Sequence, residues 1–72
     1  MTTERIGEVA GEVWNLLAET EAGLTLSQIK KKIDGTGDEV VAAVGWLARE
    51  DKLSFEAQAR KTLIALCNAS VA

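Results

Sequence analysis

Two threonines constrain this chain more than any other residues. Thr25-Leu26-Ser27-Gln28 and Thr36-Gly37-Asp38-Glu39 each set a hydroxyl three residues ahead of a side chain able to reach back to the threonine amide. That spacing opens a helix by closing its first turn from both sides. The two starts lie close together, and Asp34-Gly35-Thr36-Gly37 supplies a turn at the second. A short helix, a glycine corner and a longer helix are therefore expected. The short helix buries Leu26, Ile29 and Ile33, turns Lys31 and Lys32 to water and holds Lys30 at the border. Cations in its last turn suit the negative end of the helix dipole. The longer helix reaches about Glu50, with Val40, Val41, Val44, Leu47 and Ala48 on its core arc.

Residues before and after this pair complete a pattern. Thr3 to Thr20 reads as a helix: at 100° per residue Ile6, Val9, Ala10, Val13, Leu16, Leu17 and Thr20 share one arc, while Glu8, Glu12, Asn15 and Glu19 face water. A third stripe holds Gly7, Gly11, Trp14 and Ala18. Glycine costs about 1 kcal/mol against alanine inside a helix, so close approach of another backbone is expected there. Gly23 ends this helical region and Leu24 continues extended. After Asp51-Lys52, Leu53 to Ala57 alternates as a strand with Leu53 and Phe55 inward; Gln58 to Lys61 makes a polar turn, and Thr62 to Leu66 forms a second strand. Ile64 and Leu66 point one way and Leu63, Ala65 and Cys67 the other, so both faces of that strand are apolar and should be covered by the tail, a packed helix or a second chain. Helix, short extended segment, two helices around a tight turn, then a hairpin is the order of a winged helix-turn-helix. The fold class is thus α+β, mainly α: three helices plus a small antiparallel β-hairpin wing, in one domain over 1–72 with an ordered core about 4–66.

The residues also carry a resemblance. Ile6-Gly7-Glu8-Val9-Ala10-Gly11-Glu12-Val13-Trp14, then Ile29-Lys30-Lys31, then Ala43-Val44-Gly45-Trp46-Leu47-Ala48-Arg49-Glu50-Asp51-Lys52 resemble a small family of stand-alone winged helix-turn-helix proteins from bacteria and archaea. The match runs from Ile6 through the hairpin, and Gly45 to Lys52 is its most distinctive part. The resemblance implies this fold and a homodimer; the family has no established biochemical function, so it brings no catalytic or binding residues with it. The segment from Cys67 to Ala72 shows no family feature.

Composition narrows the chemistry. With no histidine and one cysteine, Cys67, the chain lacks the commonest general base and cannot assemble a four-ligand nitrogen or sulfur metal site by itself. Ser27, Ser54 and Ser70 have no histidine to activate them, and no carboxylate falls in an expected apolar pocket that would raise its pKa. A non-enzymatic module is expected, with no catalytic residue, metal, cofactor or small-molecule substrate. The longest apolar run, Val40 to Ala48, is well under the roughly 20 residues of a membrane span. With no signal peptide expected and a single thiol, the expected location is the cytoplasm.

Two binding roles remain. The net charge of −3 is not that of a general polyanion binder, but the cations are grouped: Lys30 to Lys32 stand in an otherwise neutral segment, and Lys52, Arg60 and Lys61 outnumber Glu56 beyond residue 51. In a DNA-binding, transcription-regulatory dimer, Lys31, Lys32, Arg49, Arg60 and Lys61 would hold phosphates of double-stranded DNA. The outward face of the third helix presents Asp38, Glu39, Ala42, Trp46 and Arg49, and the two carboxylates at its start oppose phosphate. The alternative is a protein-protein interaction or dimerisation module that binds no DNA. Trp14, Ala42 and Trp46, with Ala43 beside them, would then form the interface, since an aromatic amid depleted charge is interface composition.

Overall fold

The computed structural model describes residues 1–20 and 22–67; Ser70 and the rest of the tail beyond Cys67 lie outside them. Helix α1 spans Thr3–Ala18, α2 Leu26–Lys32 and α3 Gly37–Arg49; strands β1 (Leu53–Ala57) and β2 (Thr62–Leu66) form an antiparallel hairpin. Both capping boxes form. Thr25 Oγ1 accepts from the Gln28 amide at 3.2 Å while Gln28 Oε1 accepts from the Thr25 amide at 2.9 Å. Thr36 and Glu39 make the same exchange at 3.1 and 3.0 Å. A third cap, unforeseen, is Thr2, whose hydroxyl accepts from the Arg5 amide. Helix α1 stops at Ala18 rather than Thr20 because the Glu19 and Thr20 amides turn back to the carbonyls of Leu16 and Leu17, a tighter closure than the α-helical ladder.

The core lies where the three helices meet the hairpin. Val9, Val13, Ile29 and Val40 are its fully buried centre, with Leu17, Leu24, Ile33, Ala43, Val44, Leu47, Leu53 and Ile64 around them. Among the described residues no polar or charged side chain is buried, and no helix is long and apolar enough to cross a membrane. Helix α1 packs most extensively on α3. That rotates the buried arc of α3 toward Ala43, so Ala43 is buried rather than beside Trp46, and Val41, expected inside, is exposed.

The hairpin register pairs Leu53 with Leu66, Phe55 with Ile64 and Ala57 with Thr62. On its other edge Ile64 exchanges two backbone hydrogen bonds with Leu24, its amide donating at 2.7 Å and its carbonyl accepting at 2.9 Å. Among the described residues the second edge of β2 is therefore met by the extended residue that follows α1, helices α1 and α2 pack against the strand, and the tail beyond Cys67 lies outside those residues. Close backbone approach does occur at a glycine, but at Gly23. Its φ is +84°, and a Cβ there would sit 2.9 Å from the Ile64 carbonyl oxygen. Among the described residues a Cβ on Gly7 or Gly11 would meet no atom of another element within 4 Å, so the glycine stripe of α1 is open surface rather than a helix contact.

Phe55 departs furthest from expectation. It shares the sheet face of buried Ile64, yet it is 51% exposed. The helices cover the hairpin at Leu53 and Ile64, and among the described residues no element is packed over the outer part of β1.

Candidate functional site

The surface that a winged helix-turn-helix uses consists of α2, the outward face of α3 and the wing, and five cations were expected on it. Lys31 and Lys32 occupy the last turn of α2, Arg49 is the last residue of α3, and Arg60 and Lys61 stand at the wing tip; all five are exposed. None is in an ion pair among the described residues, because the three ion pairs there all belong to Arg5. The fold joins Arg60 and Lys61 to the start of α2. Together with Thr25, Leu26, Ser27, Val44, Phe55, Thr62 and Ile64 they line an open groove of about 540 Å³. Lys31, Lys32 and Arg49 are not part of that groove's lining.

The carboxylates at the start of α3 are not equivalent. Asp38 is exposed, but the side chain of Glu39 is only 14% exposed. Its Oε1 accepts from the Thr36 amide and lies 3.5 Å from Arg5 Nε. The Thr36 amide foremost, and the Arg5 guanidinium with it, hold the Glu39 carboxyl below the usual glutamate range. Arg5 is tied in turn to the corner between α2 and α3 by a 2.6 Å hydrogen bond to the Asp34 carbonyl. Glu39 is therefore a structural group, and the expectation that it faces outward is corrected. The signal was available: Arg5 is the one cationic side chain ahead of Lys30, so it is the natural partner for a carboxylate brought near α1. Along the exposed side of α3 between Asp38 and Arg49 lie Ala42, half-buried, and Gly45, where a Cβ would meet nothing. That strip offers few groups with which to read base edges.

The proposed protein-contact residues separate in space by their surroundings. Trp14 is 38% exposed, with the Lys52 ammonium 5.8 Å from its ring centroid, a cation–π arrangement just beyond the end of α3. Trp46 is 41% exposed, with no cation over its ring among the described residues. Sequence reasoning missed Phe55, placed inward because strand alternation reports which face a residue takes and not how far the helices cover it.

Three helices, a glycine corner between the second and third, and a hairpin held to the first connection by the Leu24–Ile64 bridge define a winged helix-turn-helix domain. The chain belongs to the family described as winged helix-turn-helix domain (DUF2582), whose model matches residues 1–66. It is 42% identical over 65 residues to the uncharacterized protein MJ1608 of Methanocaldococcus jannaschii, covering 86% of this chain and 90% of that one. The solution structure of protein BT2368 from Bacteroides thetaiotaomicron is similar, with a TM-score of 0.78 and 32% identity over 92% of this chain and 79% of that chain. The crystal structure of AF1382 from Archaeoglobus fulgidus shares the fold at a TM-score of 0.63 and 13% identity, over 97% of this chain and 76% of that one.

Proposed function

We propose that this domain is a non-enzymatic binding module that holds duplex DNA chiefly through its phosphates. The observation that carries the reading is the fate of Glu39. With that carboxylate turned to Thr36 and Arg5, Asp38 is the one acid on α3 outside any ion pair among the described residues. Lys31 and Lys32 on one side, and Arg60 and Lys61 on the other, then flank a face that is nearly free of opposing charge. Phosphate contacts position a protein without reading sequence, and the Ala42 and Gly45 strip gives little scope for base readout. The module is accordingly a weak, salt-sensitive DNA binder as one chain, and a twofold pair would double its contacts.

The test is a titration of the isotope-labelled protein with a random-sequence duplex at low ionic strength, followed by amide shifts. Shifts are expected on α2, at Arg49 and at the wing tip. Five phosphate contacts predict a slope of log affinity against log salt near −4.5, at about −0.9 per contact. A Lys31→Ala, Lys32→Ala double variant should bind more weakly and lower that slope by about 2. Absence of any shift at low salt ends the DNA reading.

A second reading rests on half-exposed Trp46 and exposed Val41 on α3, which suit a protein partner instead. Under it, Trp46→Ala changes oligomeric state or partner capture with the fold retained, and an unchanged elution volume across a wide concentration range in both forms counts against self-association.

A further inference from the structure

The wing carries four features that converge on one place, and the DNA reading uses only the last of them. The first is the direction of the β1 backbone. Ile64 spends both its amide and its carbonyl on Leu24, so Phe55, directly opposite it, forms a non-hydrogen-bonded pair within the hairpin. The amide and carbonyl of Phe55, and by the same alternation those of Ala57, therefore point away from β2 toward an edge that no other strand among the described residues occupies. The second is Phe55 itself, a large apolar side chain left half in water beside that edge.

The third is the groove next to it, whose apolar floor comprises Leu26, Val44, Phe55 and Ile64. The fourth is charge. Arg60 and Lys61 rim the groove, no carboxylate among the described residues lines it, and the hairpin's one acid, Glu56, lies on the opposite sheet face with its carboxylate accepting from Gln58 Nε2 at 3.2 Å. A locally cationic groove in a chain of net charge −3 selects for negative charge in whatever lies there.

We propose that the outer edge of β1 and the adjoining groove take up an extended peptide segment that carries an apolar anchor flanked by acidic residues. Backbone hydrogen bonds to Phe55 and Ala57 would add the segment to the sheet, and an alternate side chain would drop beside Phe55 into the groove. Its carboxylates would meet Arg60 and Lys61. Main-chain bonds supply affinity in such strand addition, and the pockets for alternate side chains supply specificity. DNA phosphate matches the two cations but leaves the apolar floor and the outward amides without partners. A peptide of this composition satisfies all four features. The proposal goes beyond the DNA reading and does not depend on it, since Lys31 and Lys32 have no part in it.

The test uses the whole chain, isotope-labelled, and the synthetic peptide Ac-DEVSFTVED-NH2 at low ionic strength. Amide shifts are expected at Phe55, Ala57, Arg60 and Lys61 and at the start of α2, and the Phe55 and Ala57 amide protons should become protected from exchange. Three changes should each weaken binding at least about tenfold: the basic counterpart Ac-KKVSFTVKK-NH2, a backbone N-methylated version of the acidic peptide, and an Arg60→Glu, Lys61→Glu double variant of the protein. The Lys31→Ala, Lys32→Ala variant should bind the peptide as the parent does while losing affinity for DNA, so the two readings fail separately. No shift at millimolar peptide overturns the proposal, as does equal binding of the basic or the N-methylated peptide. It is also overturned if, without peptide, the mass by light scattering doubles from 7.7 kDa with concentration while those same two amides become protected, because a second copy then holds the edge.

Discussion

The helical body and the wing are built to different degrees of completion. In the body, both helix starts around the glycine corner are closed by reciprocal caps, the corner carbonyl of Asp34 is held by Arg5, and Ile29 and Val40 are fully buried. In the wing, among the described residues, Phe55 is half in water and the outer edge of β1 is unpaired. A region that satisfies its own backbone and core groups has only its outward side chains left to offer a partner. A region that does not is where binding chemistry is available. The sharpest test of that contrast removes one apolar side chain from each. Ile29→Ala should cost about 3 kcal/mol in urea unfolding, the usual range for emptying a fully buried aliphatic site. Phe55→Ala, although the larger side chain, should cost about 1 kcal/mol because much of its surface is already in water. Equal costs would erase the distinction.

The two regions are joined at Gly23. A side chain there meets both a positive φ and the Ile64 carbonyl oxygen at 2.9 Å, so neither relaxation of the turn nor a rotamer change relieves it. Gly23→Ala should cost about 2 kcal/mol, combining left-handed strain with a displaced pairing of Leu24. Exchange protection should fall at Leu24 and Ile64 first, with the α2 and α3 amides little affected. If the whole domain loses protection together, body and wing form one cooperative unit and differ only in their surfaces.

Within the body, the cap at Thr36 carries a charge-dependent part. Thr36→Ala should cost about 1 kcal/mol, as caps of this kind do. Glu39 adds a pH dependence whose sign follows from its carboxyl, which lies below the usual glutamate range in the folded chain. The ionised form is favoured by folding, so this contribution is fully present above the ordinary glutamate value of about 4.3 and fades as the pH falls through the lower folded value. Stability measured from pH 7 down to 5 should show no loss from this source, with the loss setting in below. Glu39→Gln, which keeps an acceptor for the Thr36 amide, should flatten that acid limb. A limb unchanged in the variant would assign the acid sensitivity elsewhere.

What was legible in the residues divides along the same line. Caps, helical periodicity and strand alternation are local, and they placed α2, α3 and both strands with their register-setting turn; the five cations weighed for phosphate contact are exposed. Quantities that depend on how far one element covers another were not legible. The arc of α3 was misjudged between Val41 and Ala43 because its rotation is set by α1, distant in sequence. Phe55 alternates correctly with Leu53, but no pattern within β1 reveals that the helices stop short of it. The glycines of α1 suggested a contact because small residues permit one; Gly7 and Gly11 permit it and nothing comes. Gly23 makes the contact that they were expected to make, and only the pairing of Leu24 with Ile64 explains why.

The junction on the other side of the body gives the smallest and most pointed effect. After Arg49 the chain leaves α3 through Asp51 at φ +59°, and the Asp51 and Lys52 amides return to the Ala48 and Leu47 carbonyls at 3.1 and 3.0 Å. That is the hydrogen-bond pattern of a helix closed by a left-handed residue, a position that glycine fills most often. Aspartate tolerates the conformation better than most residues but still carries strain there, and glycine would give back part of the gain through a freer unfolded chain. Asp51→Gly should therefore stabilise the domain by about 0.5 kcal/mol in urea unfolding, with the Cys67 amide still donating to the Lys52 carbonyl, which now lies 2.8 Å away. A destabilised variant would mean that the Asp51 carboxylate holds the wing's entry in place, and the boundary between the finished body and the unfinished wing would then fall beyond residue 51 rather than at it.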